Sequence, residues 1–567
     1  MADNLNLIAR LLVSTGLVNE MQAPRILAAA PENDGGVVGA AVAVAGVSEE
    51  ELLRRIAEKL GMDFVDLAGE KPEKEVIEQL PASAVFQYNV VPVRVDGESL
   101  VVATSDPFDT GMADGLRLAV TRPVRLVLAP RREIEKAARK FYGVGGDTLA
   151  ALEKEGAILD LDSDADFSKN DISQLGQEAS IVRFVNQIIA EADRQGATDI
   201  HFEPMEDELR IRYRIDGILH KVDMPPQLNR LQAAITSRLK VMANLDIAEK
   251  RMPMDGRIGI RVKGEDIDIR VSTMPTAYGE SVSLRLLQKS GSMVKLQDLG
   301  MQPDDEALIT KLIHRPNGII LVTGPTGSGK STSLYAFLQE INRMDVRILT
   351  AEDPIEYEMP GINQVAVRSD IGLTFARILR AFLRQDPDIC MVGEIRDAET
   401  AEIAINASLT GHLVLSTLHT NDSAGAFARL IDMGVEPFLV ASAVSGVLAQ
   451  RLVRRLCRTC RRPEVVADRL RGGIALPDSI PPGTTIYEAA GCEKCSGTGY
   501  KGRGGIFELL HVTEAVESMI IARRPTADIR RLAIEQGMHT LREDGFRNVV
   551  SGVTTLGEVL RVTEDSE

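Results

Sequence analysis

Residues 319–333 read IILVTGPTGSGKSTS, and the rest of the chain is best read outward from them. Ile319, Ile320, Leu321 and Val322 form a β-rich apolar run. Gly324, Gly329, Lys330 and Ser331 then satisfy the spacing G-x-x-x-x-G-K-[ST], and a helical pattern follows. That strand–loop–helix context is the signature of a phosphate-binding loop. Glycines let successive backbone N–H groups curl around phosphate oxygens at a helix N-terminus, where partial positive charge collects. The expected nucleotide contacts are Gly324, Pro325, Thr326, Gly327, Ser328, Gly329, Lys330, Ser331 and Thr332. Lys330 is expected to reach the β- and γ-phosphates of ATP, and the Ser331 hydroxyl to join the Mg²⁺ shell.

From about residue 303 onward, β-rich runs alternate with helical stretches. GIILVTG, VRILTAED, DICMVGE and HLVLSTLH are the strand candidates, which predicts a largely parallel sheet covered on both faces. Hydrolysis needs a carboxylate near the metal and another to polarise water. TAEDPIEYE offers Glu352, Asp353 and Glu356 just after a strand. DPDICMVGEIRD ends another strand in Glu394, preceded by Gly393 where an ordinary Walker B strand would already carry its acid. TGHLVLSTLHTND ends a fourth strand in His419, placed to sense the γ-phosphate.

Upstream, residues 1–143 read as one small α/β unit. Ser48 and Glu51 form the pattern of a capping box, and Asp96-Gly97 marks a hairpin between two β-rich runs. A weak echo puts Gly16 and Gly46 before helix starts, 30 residues apart. Residues 144–175 turn Gly-rich and then acidic, as in a flexible linker with a solvated charge run. Residues 176–290 form a second α/β unit. In it an amphipathic helix ends at Gly196, a strand pair turns at Asp216-Gly217, and EDIDIRVSTMPT and ESVSLRLL are further strands.

The chain has 567 residues with 44% apolar and 26% charged, an ordinary globular composition. Net charge is −17 and Trp is absent, which argues against wholesale nucleic-acid binding or a base-stacking surface. No apolar run reaches the length of a transmembrane helix and the start lacks a secretory-signal pattern, so a cytoplasmic location is expected. Four of the five cysteines form two C-x-x-C pairs, Cys457/Cys460 and Cys492/Cys495, with 31 residues between the pairs. Four thiolates in that spacing suit a closed, structural, tetrahedral Zn²⁺ site. An iron–sulfur cluster would use the same thiolates, although the spacing favours a zinc ribbon. Cys390 falls in a buried strand and reads as core.

In order and spacing, GPTGSGKST, TAEDPIEY, DICMVGEIRD and GHLVLSTLHTND resemble the boxes of the secretion ATPase superfamily, the ATPases of type II secretion and of type IV pilus assembly. The resemblance covers the chain from about 176 to the end and, more loosely, the first 143 residues. It implies an α/β chain built around a RecA-like P-loop domain over 303–567. That domain would include a tetracysteine zinc module at 453–505 and a helical part at 506–567. A PAS-like domain at 176–290 and a docking domain at 1–143 would precede it. It further implies that Glu356 orients the attacking water, that Glu394 acts on Mg²⁺, and that His412 and His419 are the His-box pair. Arg270 and Arg285 match arginines that reach phosphates from the neighbouring subunit of a homo-hexameric ring. Met254 stands where the family has Gln and inherits no role.

The resemblance implies partners as well: an inner-membrane platform protein and a membrane-anchored docking protein. Type II secretion is the reading taken, because there is a single first N-terminal domain; pilus assembly is the alternative, because the domain order suits both. Some family members bind cyclic di-GMP through an Arg-containing repeat in the first domain. Leu7 and Val37 occupy those positions here, which argues against that ligand, because Arg is what pairs with a guanine edge. A non-motor P-loop enzyme, such as a nucleotide kinase, would not need the cysteine module or the long N-terminal part. A nucleic-acid translocase would need a basic channel.

Overall fold

A computed structural model describes residues 2–33, 35–67, 69–70, 72–143, 172–224, 226–262, 265–288, 294–466, 470–471, 474–476 and 480–563. The expected linker lies outside the described residues up to 171. From Ile172 the chain is a helix that runs to Arg194, so the last four linker residues are helical. The chain divides into two compact units, 1–288 and 289–567.

In the first unit, helices Ala2–Ser14, Ala23–Ala29, Gly36–Ala45 and Glu49–Leu60 precede a three-stranded sheet. Its strands are β1 (Val90–Asp96), β2 (Ser99–Thr104) and β3 (Val124–Leu128), with β1/β2 an antiparallel hairpin and β2/β3 parallel. Gly16 and Gly46 each end the helix before them, at φ +76° and +68°, where a side chain would be strained. The capping box does not form. Ser48 sits at the N-cap but its side chain makes no capping bond. Three glutamates in the first turn complement the helix dipole instead, and Glu49 accepts a hydrogen bond from the Arg131 N–H at 2.9 Å. A capping box does occur elsewhere, at Thr540/Glu543.

Residues 197–288 of the same unit form an antiparallel sheet of six strands: β4 (Ala197–Pro204), β5 (Leu209–Ile215), β6 (Ile218–Lys221), β7 (Met254–Val262), β8 (Glu265–Thr276) and β9 (Gly279–Gln288). Their order is β6-β5-β4-β9-β8-β7. Asp216 and Gly217 both have positive φ, as the tight β5–β6 turn requires. Alternate strand residues (Ile200, Phe202, Ile269, Val282, Leu284) pack on Phe184, Ile188 and Leu239 of helices Ile172–Arg194 and Gln232–Met242. The opposite face is left to polar side chains.

The second unit is built on a seven-stranded sheet. It comprises β10 (Gly318–Thr323), β11 (Ile348–Glu352), β12 (Asn363–Ala366), β13 (Ile389–Val392), β14 (Leu413–Leu418) and β15 (Val444–Leu456), with a last strand, Tyr500–His511, antiparallel to β15. The order is β12-β11-β13-β14-β10-β15 and then the last strand, and every neighbouring pair but that final one is parallel. Ile319 and Leu321 face one core and Ile320 and Val322 the other, which is why β10 reads as an unbroken apolar run. Cys390 is fully buried in β13, as expected, and burial pushes its thiol up to about 12. The short strands β16 (Arg462–Val465), β17 (Leu470–Arg471), β18 (Ile474–Ala475) and β19 (Thr485–Glu488) are inserted between β15 and the last strand, β20 (Tyr500–His511).

Leu415, at the middle of β14, is fully buried. Leu415→Ala is expected to destabilise the second unit by about 2–5 kcal/mol, read as a shift of its denaturant midpoint.

Candidate nucleotide site and metal centre

The four boxes meet at one edge of the parallel sheet. β10 runs into the Gly324–Gly329 loop, β11 into Asp353–Glu356, β13 into Glu394 and β14 into His419, all at strand carboxyl ends. Open α/β sheets bind ligands at this edge. Helix Lys330–Ile341 begins where the loop ends, so its N-terminus points at the same place.

Two of the loop glycines have no room for a side chain. A Cβ at Gly324 would lie 2.6 Å from the Gln450 carbonyl oxygen, and one at Gly329 would lie 2.7 Å from the Gln450 side-chain nitrogen. Gln450, on β15, accepts a hydrogen bond from Ser333 Oγ at 2.7 Å and so supports the loop from beneath. Ser328 Oγ is buried and has no hydrogen-bond partner among the described residues, a donor suited to a phosphate oxygen. Lys330 Nζ donates to the carbonyls of Gly324 (2.7 Å) and Pro325 (3.1 Å). Burial lowers the Lys330 ammonium to about 8, against the opposing pull of Glu394 and with help from nearby Arg451. Pro325, Thr326, Gly327, Ser331 and Thr332 are exposed on the loop and first helical turn.

Glu394 pairs with Arg396 (2.5 Å) and with His419 Nε2 (3.4 Å). Burial pushes its carboxyl up, but the hydrogen bond and charge of Arg396, with a smaller contribution from the His419 contact, outweigh burial and hold it below the ordinary value. The Gly393 N–H donates to Ala351 O at 2.8 Å, and a Cβ there would press on that same oxygen at 3.3 Å. The close approach of β13 to β11 accounts for the glycine before the acid. His412 is elsewhere. It precedes β14 at the far end of the strand, and its Nδ1 meets the Ala407 carbonyl at 2.8 Å. Six strand residues separate it from His419, seven rises or about 23 Å. The His-box pair is therefore split, and only His419 joins Glu394. Glu352 is buried among Tyr335, Thr350 and Gln364, whereas Asp353 and Glu356 are exposed on the loop beyond it.

In the first unit, the strand register aligns Arg257, Arg270 and Arg285 directly opposite one another across β7, β8 and β9, with Asp199 and Arg214 continuing the row. Asp199 receives Arg285 Nε at 3.0 Å and Arg214 Nε at 3.6 Å. Arg270 and Arg285 thus share one cationic row. Arg257, in PMDGR, belongs to it as well, which no motif in the linear sequence marks. Only pairing register reveals it, because the three arginines lie on three strands.

The four paired cysteines come together, with every sulfur within 4.8 Å of the others. Cys457–Cys492 and Cys460–Cys495 are 3.8 Å apart and Cys492–Cys495 3.7 Å. With Zn–S bonds of about 2.3 Å, a tetrahedron has edges of about 3.8 Å, so the donor set fits that ion. The N–H groups of Cys492 and Gly499 each donate to Cys495 Sγ at 3.2 Å, which favours a thiolate. Val466, Ile480 and Ile486 of this module pack on Phe546, Val549 and Val559 of the C-terminal helices.

A phosphate loop on a parallel sheet, facing an acid and a histidine on neighbouring strand ends, defines a P-loop nucleotide hydrolase. Residues 174–561 match the family model described as type II/IV secretion system protein, and residues 60–148 match the MshEN domain. The chain is 40% identical over 564 residues to the type IV pilus assembly ATPase PilB of Myxococcus xanthus, covering 98% of each. It is 42% identical over 528 residues to the type II secretion system protein E of Xanthomonas campestris, covering 92% of each. With the type II secretion system protein E of Dickeya dadantii it shares 49% identity over 446 residues, 78% of this chain and 85% of that one. The chain belongs to the type II/IV secretion system protein family and is an ATP-hydrolysing enzyme.

Phosphate binding favours charged Lys330, so ATP affinity is at full strength below pH 8 and declines as pH rises through that value. Glu394 holds Lys330 up, so Glu394→Gln moves the onset to lower pH. Titration with a fluorescent ATP analogue from pH 6.5 to 9.5 reads both effects. Separately, metal analysis should find one zinc per chain. Cys460→Ser should lose it and unfold at lower temperature.

Proposed function

We propose that this chain is the motor ATPase of a type II secretion system, working as a homo-hexamer at the cytoplasmic face of the inner membrane. The observation that carries this reading is the meeting of all four boxes at one sheet edge in a chain of this family. Pilus assembly is the second reading, favoured by the alignment with PilB of Myxococcus xanthus over 98% of each chain. In both readings ATP hydrolysis drives assembly of a filament through an inner-membrane platform protein, and a membrane-anchored protein receives the first domain. Among the described residues no helix is long and apolar enough to cross a membrane, which is compatible with attachment through partners.

In this reading Gly324–Thr332 hold the triphosphate, and Ser331 and Glu394 would hold Mg²⁺, which would supply neutralising charge to the phosphates. Glu356 orients the attacking water and His419 senses the γ-phosphate. Arg270, Arg285 and the neighbouring Arg257 enter the site of the adjacent subunit, where added cations stabilise charge on the transferring phosphoryl group. Cys457, Cys460, Cys492 and Cys495 hold a structural zinc, closed to substrate.

A shared site makes a specific demand. Arg270→Ala and Glu394→Gln should each lower ATPase activity by about 10³-fold while ATP still binds. Mixing the two variants and allowing rings to form should restore part of the activity, because some interfaces then pair an intact Glu394 with an intact Arg270. Absence of recovery in verified mixed hexamers would refute the shared site.

A further inference from the structure

The loop that carries Glu356 has no regular structure. It leaves β11 at Asp353 and reaches β12 at Asn363. The Glu356 side chain is exposed, and its position depends on the backbone beneath it. That backbone is held at three points. The Glu356 N–H donates to Tyr335 Oη at 3.2 Å. Gln364 takes the other two: its Oε1 accepts from the Met359 N–H at 2.7 Å, and its Nε2 donates to the Tyr357 carbonyl at 2.9 Å.

Both anchoring side chains converge on one carboxylate. Tyr335 Oη donates to Glu352 Oε2, Gln364 Nε2 donates to Glu352 Oε1 at 3.0 Å, and Thr350 Oγ1 donates to the same oxygen at 2.6 Å. Glu352 and Tyr335 are each 4% exposed. Burying a carboxylate is costly unless donors surround it, and here two of its three donors also grip the Glu356 loop. Tyr335 lies five residues beyond Lys330 on the helix that starts at the phosphate loop, and Asn342, just past that helix, donates to the Pro360 carbonyl at 2.9 Å. The rings of Tyr335 and Tyr357 meet edge to face at 5.8 Å. The loop is therefore tied along the length of the helix whose first turn forms the nucleotide seat.

We propose that Glu352, Tyr335 and Gln364 form a positioning hub for hydrolysis, in which the buried Glu352 carboxylate orients Tyr335 and Gln364 so that they fix the backbone under Glu356. Glu352 thus takes no part in the chemistry, although it stands in the same TAEDPIEYE segment. The inference rests on the reading of Glu356 as the residue that orients water.

The test uses the full chain as assembled hexamers. Tyr335→Phe removes one hydroxyl and keeps the ring packing; Gln364→Met removes the second anchor. Misplacing a catalytic group by about 1 Å costs up to about 100-fold in rate. Each variant is expected to lower kcat by about 10- to 100-fold with ATP KM within about twofold of the parent. On a Glu356→Gln background, either substitution should change the residual rate by less than about twofold, because the hub acts only through Glu356. If one variant fails to fold by thermal unfolding, the other carries the same test. Parent-like kcat in a folded variant, or losses that multiply with that of Glu356→Gln, would overturn the hub while leaving the Glu356 reading intact. Parent-like activity of Glu356→Gln itself would overturn both.

Discussion

Parallel pairing of β10 with β14 is the constraint on which the catalytic unit rests. Register sets Thr323 opposite Leu418, so the phosphate loop and His419 emerge side by side. β13 lies next to β14 and β11 next to β13, each in parallel register, which adds Glu394 and the Asp353–Glu356 loop to the same edge. In an antiparallel sheet alternate loops would leave from opposite ends, and the same residues would be separated by a strand length. The split of the two histidines shows this directly: His412 and His419 flank one strand, and only the one at its carboxyl end reaches the acid.

Buried polar side chains then stiffen what the sheet brings together. The Thr323 hydroxyl accepts from the Thr420 N–H at 2.9 Å, linking the strand before the phosphate loop to the loop after His419. Arg451 donates to the Asn421 carbonyl at 2.9 Å, and the fully buried Glu508 accepts from both the N–H and the hydroxyl of Ser423. Each tie joins a different strand to the His-box loop. The Glu352 hub treats the Glu356 loop in the same way. Loops that hold chemistry are irregular, so their backbone groups lack ladder partners, and side chains from the sheet and the adjoining helix supply them.

The cysteine module shows a different solution to a small-domain problem. Its strands are two to four residues long and could not bury enough apolar surface alone. Four sulfurs within 4.8 Å of one another gather at one end, and a few aliphatic residues seat it on the C-terminal helices at the other.

Much of this was legible in the linear sequence. The phosphate loop, the strand alternation and the cysteine pairs are local: spacing alone specifies backbone N–H groups around a phosphate, a 2.0 or 3.6 periodicity, or two thiolates on one knuckle. Ser48/Glu51 shows the limit even of local signals, because the pattern permits a capping box and the folded helix start makes no such bond. Tertiary structure alone decided the rest. Only strand register places Arg257 in line with Arg270 and Arg285, and only packing turns Glu352 from a plausible catalytic acid into a buried anchor. Both depend on pairings that no short motif encodes, the register of successive strands for the arginine row and the contacts of Tyr335 and Gln364 for Glu352, and such pairings leave no periodic trace along a single chain.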